Sequence, residues 1–72
     1  MAVYYVSTMP GDDGDHVVHT DSCPLLVFTP FRVNLGEYAT CDDALQKARI
    51  LYADVTGCDQ CSGPCTSNKR LN

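Results

Sequence analysis

His16-Val17-Val18-His19-Thr20-Asp21-Ser22-Cys23-Pro24 reads as a short strand running into a turn. Val and Thr favour extended backbone. Asp21 and Ser22 bond readily to neighbouring backbone and start a turn. With three residues between them, His19 and Cys23 sit at a strand end and in the following turn, where both side chains face the same side. Their counterpart is Gly57-Cys58-Asp59-Gln60-Cys61. Two residues between cysteines let a tight turn aim both sulfurs at one ion, with backbone amides stabilising their charge. His19, Cys23, Cys58 and Cys61 then form a Cys3His set, a common closed zinc site. Disulfides joining Cys58 or Cys61 to Cys23 are the competing reading. A redox-active CxxC is the third, weakened because the motif does not open a helix in a β-α-β context.

Other side chains compete for places in this set. His16 lies three residues before His19, and strand positions an odd number apart face opposite sides. His16 is therefore expected to face solvent. Cys65 follows Cys61 closely enough to compete as the fourth ligand. Cys41 starts a helix, where it is either a small buried hydrophobe or a reactive thiol of lowered pKa. Asp12, Asp13 and Asp15 cluster around Gly14, but they lack the distal Glu and the alternating spacing of an EF-hand calcium loop. They read as a solvated turn.

Outward from the ligand pairs, Ala2 to Ser7 alternates as a strand and should pair antiparallel with His16 to Thr20. Leu25-Leu26-Val27-Phe28, bounded by Pro24 and Pro30, is either a strand or a loop packed on the core. Phe31 to Leu35 is a further possible strand, ended by Gly36. A helix is expected from about Cys41 to Ala53. Thr40 is placed to cap it, with Asp43 three residues on. Asp42 and Asp43 suit the positive end of the helix dipole. Ala44, Leu45, Ala48, Leu51 and Tyr52 fall on one apolar face. Gly57 is expected to permit a turn before the CxxC. The fold class is thus α+β: a β-hairpin or three-stranded antiparallel sheet, one helix and a zinc knuckle. Residues 1–65 form one zinc-binding domain and residues 66–72 a flexible, polar tail.

The chain has 72 residues, and a core of this size rarely supplies more than ~3–5 kcal/mol, so a staple is expected. Five cysteines, an odd number, do not suit a secreted disulfide scaffold. Met1 to Tyr5 lacks the basic start of a signal peptide, so the cytoplasm is the expected location. Five Lys and Arg against nine Asp and Glu give a net charge of −4. That charge argues against nucleic acid and against anionic membranes.

The pattern Val18-His19-Thr20-Asp21-Ser22-Cys23, then Leu35-Gly36-Glu37-Tyr38, Cys41-x2-Ala44-x3-Ala48 and Gly57-Cys58-x2-Cys61 resembles the Ada-type zinc-binding domain of bacterial methyl-phosphotriester repair. It resembles even more closely short stand-alone bacterial and phage-encoded proteins of unassigned function. The resemblance covers about residues 4–65. It implies the small α+β fold and a zinc ion. In the repair domain the first of four cysteines accepts the methyl group, and the matching position here is His19. An imidazole is not such a nucleophile, so the departure removes methyl transfer.

Two functional classes follow. One is a structural-zinc module that binds another protein as an adaptor or inhibitor, with a contact surface drawn from Tyr4 or Tyr5, Phe28 and Phe31, of which at least half are expected in the core, and a monomeric or homodimeric state. It is not an enzyme, because four protein ligands leave no position for a metal-activated water. The alternative is a thiol- or zinc-dependent enzyme, or a relative of alkyl-DNA repair proteins. Glu37, the single Glu of the chain, lies beside none of the ligands and offers no proton shuttle.

Overall fold

A computed structural model describes residues 1–11, 14–58 and 61. The architecture is α+β. Its sheet is formed by β1 (Ala2–Ser7), β2 (His16–Thr20), β3 (Arg32–Tyr38) and β4 (Val55–Gly57), in the spatial order β3-β1-β2-β4. One α-helix, α1 (Cys41–Leu51), is present among the described residues. The hairpin forms as expected: β1 pairs antiparallel with β2, with Tyr4 opposite Thr20, Tyr5 opposite His19 and Val6 opposite Val18. β3 pairs antiparallel with the other side of β1. β4 lies parallel to β2, setting Val18 against Gly57. This parallel strand is an addition to the expected sheet.

β1 alternates, so its residues serve two faces. Tyr4 and Val6 join Val18, Leu35, Ala44, Leu45 and Ala48 in the larger core cluster, beneath α1. Tyr5 and Val17 pack on the opposite face against Cys23, Leu26, Cys58 and Cys61. The sheet therefore separates an ordinary apolar core from a cysteine-rich one.

The helix begins as read from the sequence. The Thr40 hydroxyl accepts the Asp43 backbone N–H at 3.3 Å, satisfying one of the donors a helix start leaves open. It ends two residues earlier than expected, with Tyr52 as C-cap. Ala44, Leu45 and Ala48 are buried as the periodicity requires, but Leu51, in the last turn, is largely exposed.

Three local departures have physical causes. Leu25 to Phe28 belongs to a 3-10 helix, Pro24–Phe28, in keeping with Pro24 at its start. β3 does not stop at Gly36. Tyr4 pairs with Gly36 and Tyr5 with Asn34, leaving Leu35 as an extra residue in a bulge, and Gly36 takes φ +102° to continue the strand. Gly57 makes no left-handed turn and is instead the buried last residue of β4.

Candidate metal centre

β2, the turn after it and the end of β4 bring four side chains together. His19 lies on β2 opposite Tyr5, on the face away from α1. The chain then turns: the Asp21 N–H donates to Val3 O at 2.9 Å and the Cys23 N–H to Thr20 O at 3.1 Å. Those two bonds fix Cys23 next to His19. On the other side, the Cys58 N–H donates to Val18 O at 2.9 Å, extending the β2–β4 pairing to the first cysteine of the CxxC. The Thr20 N–H donates to Cys61 Sγ at 3.4 Å, bringing the second sulfur to the same place. The parallel strand thus aligns one ligand pair with the other.

The ligand atoms of His19, Cys23, Cys58 and Cys61 all lie within 4.8 Å of one another. Cys23 Sγ is 3.8 Å from Cys58 Sγ and 3.5 Å from His19 Nδ1. Around a tetrahedral zinc, with Zn–S of ~2.3 Å and Zn–N of ~2.0–2.1 Å, simple trigonometry puts neighbouring sulfurs about 3.8 Å apart and a sulfur and nitrogen about 3.6 Å apart. Both separations match, and the second involves Nδ1 of His19. These four residues could hold one metal ion. Cys23, Cys58 and His19 are 4%, 3% and 5% exposed, and Cys61 is half-buried.

The electrostatics point the same way. Burial, with the adjoining Cys61 and Cys58 side chains adding to it, pushes the Cys23 thiol from its usual 9.0 up to about 12. A thiolate there needs a cation beside it. Burial holds the His19 imidazole below its usual range, so at neutral pH it carries a lone pair for a metal. Cys23, Cys58 and Cys61 are thiols, not disulfides, which removes the competing pairing of Cys23 with Cys58 or Cys61.

The remaining titratable groups are placed differently from expectation. His16 does face away from the cluster, and it is half-buried. Its ring stacks on Tyr52 with centroids 3.8 Å apart, and Nδ1–H donates to Ser7 O at 2.9 Å. The side of β2 opposite the cluster is covered by α1 and its C-cap, which the strand pattern alone does not reveal. Cys41 is half-buried against the larger core cluster and disulfide-bonded, so it is not a reactive thiol. Cys65 and the tail from 66 to 72 lie outside the described residues, as do Asp12 and Asp13. Asp15 is buried, not solvated.

No protein-family model, curated protein or solved structure matches this chain. Among the described residues, no helix is long and apolar enough to cross a membrane.

Proposed function

We propose that this chain is a small structural-zinc module that acts by binding another protein, as an adaptor or inhibitor. The observation that carries the metal reading is the convergence of four ligand atoms within 4.8 Å. Zinc is favoured over other ions by the donor set: thiolates with one imidazole suit tetrahedral zinc and do not suit magnesium or calcium. Four protein ligands leave no coordination position for water or substrate, so the ion's role is to hold the fold. The chain is accordingly read as non-enzymatic. The Ada-type resemblance supports the zinc and the scale of the domain, while His19 at the acceptor position argues against alkyl transfer.

Binding to a protein is supported by the surface. Val27, Phe28 and Phe31 are 74%, 77% and 66% exposed. Aromatic side chains are enriched at protein–protein interfaces, which favours this segment as the contact surface. Tyr4, by contrast, is part of the core. The partner is read as a protein, and neither nucleic acid nor membrane suits a net charge of −4. The chain is expected as a monomer or homodimer.

The proposed compartment is the cytoplasm, where Cys23, Cys58 and Cys61 stay reduced for metal. The Cys41 disulfide would there be subject to reduction by glutathione and thioredoxin. The test of the whole reading is affinity capture with the zinc-loaded protein beside a Phe28→Ser, Phe31→Ser double variant of equal zinc content. A partner retained by the first and lost by the second supports the reading. Equal capture by both removes the proposed surface.

A further inference from the structure

The cluster has one sulfur that solvent can reach. His19, Cys23 and Cys58 are buried, and Tyr5, Val17 and Leu26 pack around them. Cys61 is half-buried. A metal-bound thiol is deprotonated, and thiolate character together with access decides which cysteine reacts with oxidants. The other sulfurs share the thiolate character but not the access. Cys61 also has a second sulfur at hand, because every ligand atom lies within 4.8 Å of every other. A disulfide requires sulfurs at ~2.05 Å, and the neighbouring sulfurs stand close to the Cys61 sulfur once oxidation has taken it off the ion.

We propose that Cys61 is a modification site: the sulfur through which peroxides oxidise the cluster and release its ion. This rests on the metal reading above. The Cys61 thiolate attacks one oxygen of hydrogen peroxide; an S–O bond forms, the O–O bond breaks and hydroxide leaves. A neighbouring thiolate, Cys58 or Cys23, then attacks the Cys61 sulfur, forming an S–S bond and expelling the second hydroxide. Two thiolates lose two electrons and the peroxide gains them, with two negative charges on each side of the balance. Two of the four donors are then tied in a disulfide. The remaining thiolate and imidazole hold zinc far more weakly, and the ion leaves. Since Cys23 and Leu26 sit in the same small cluster as Cys58, loss of the ion loosens the 3-10 helix that carries Val27 and Phe28. Oxidation at Cys61 would therefore reach the proposed binding surface.

The experiment starts from protein whose zinc content has been measured. Zinc release on adding hydrogen peroxide is followed with a chromophoric chelator, and the disulfides formed first are mapped by mass spectrometry after iodoacetamide trapping. The expected first bridge contains Cys61, with either Cys58 or Cys23. A Cys61→His variant keeps four nitrogen and sulfur donors, and its loaded form should release zinc at least about tenfold more slowly. A first bridge between Cys23 and Cys58, or equal release rates, overturns the proposal. Should the variant fail to load, brief iodoacetamide pulses on the zinc-loaded native protein decide: among Cys23, Cys58 and Cys61, label at Cys61 first supports it, and even labelling overturns it. Protein that holds no zinc at the outset sinks the metal reading itself, an outcome visible before any peroxide is added.

Discussion

Stripping the ion with a strong chelator should unfold the chain. The larger cluster, Tyr4, Val6, Val18, Leu35, Ala44, Leu45 and Ala48, contains no ligand and is the only metal-independent core among the described residues. In the smaller one, two of the three buried members are Cys23 and Cys58, with Leu26 as the third. Without the ion, that second core is a set of thiols and an imidazole around Leu26, flanked by the partly buried Tyr5 and Val17. A domain this small draws ~3–5 kcal/mol from its core, against ~10–16 kcal/mol of apparent free energy from a structural zinc site. The metal term is the larger, so its removal leaves the folded state without a margin. α1 spans 11 residues, and isolated helices shorter than ~12–15 residues are marginal in water, so the helix should disappear with the fold. Far-UV circular dichroism before chelation, after it and after zinc is restored reads this directly. Loss of the helix signal and its return with zinc are expected. A native-like helix signal in metal-free protein would refute the reasoning and show that the larger cluster suffices.

Acid should displace the ion mainly through the thiols. A thiol must lose its proton to bind the ion, and free thiols, at ~8.5, are still mostly protonated through the neutral range in the metal-free chain. The imidazole of His19 takes up its proton at lower pH than a thiol does, and so competes less in the neutral range. Apparent zinc affinity should then rise with pH by at least about one and at most about three powers of ten per pH unit between mildly acid and neutral conditions, one for each thiol deprotonated; competition with a chromophoric chelator measures the slope, and a flat profile contradicts it. Replacing Phe28 and Phe31 by Ser should leave zinc content and the thermal midpoint close to those of the native protein, because both rings are exposed and surface changes usually stay within about ±0.5 kcal/mol; a large drop in the midpoint would show that they are structural. Gel shifts with duplex DNA or with RNA should show no binding at physiological salt; micromolar, salt-sensitive binding would revive the repair-like reading.

Much of this arrangement was legible in the sequence because it is local. Thr40, Asp43 and the Ala44-Leu45-Ala48 spacing declare the helix. The alternation in Ala2 to Ser7 and His16 to Thr20 declares the hairpin. His19, Cys23, Cys58 and Cys61 were readable as two short-range pairs, and the structure brings those pairs together. What joins them was not readable. β4 has three residues, too few to show a period, and its parallel pairing with β2 is a long-range choice made when α1 returns the chain across the sheet. The bulge at Leu35 escaped because Gly36 signals a strand end as readily as a positive φ within one. His16 was correctly turned away from the cluster, but its stacking on Tyr52 depends on where the helix ends. The Cys41 disulfide is a tertiary event that spacing cannot specify.

The central claim is that four side chains hold one zinc ion with no room for a fifth ligand. X-ray absorption at the zinc edge, on protein shown by elemental analysis to carry one zinc per chain, tests it most directly. The account predicts three sulfurs at ~2.3 Å and one nitrogen at ~2.0–2.1 Å. A shell with fewer sulfurs and an added oxygen, or a chain that purifies without stoichiometric metal, would contradict it.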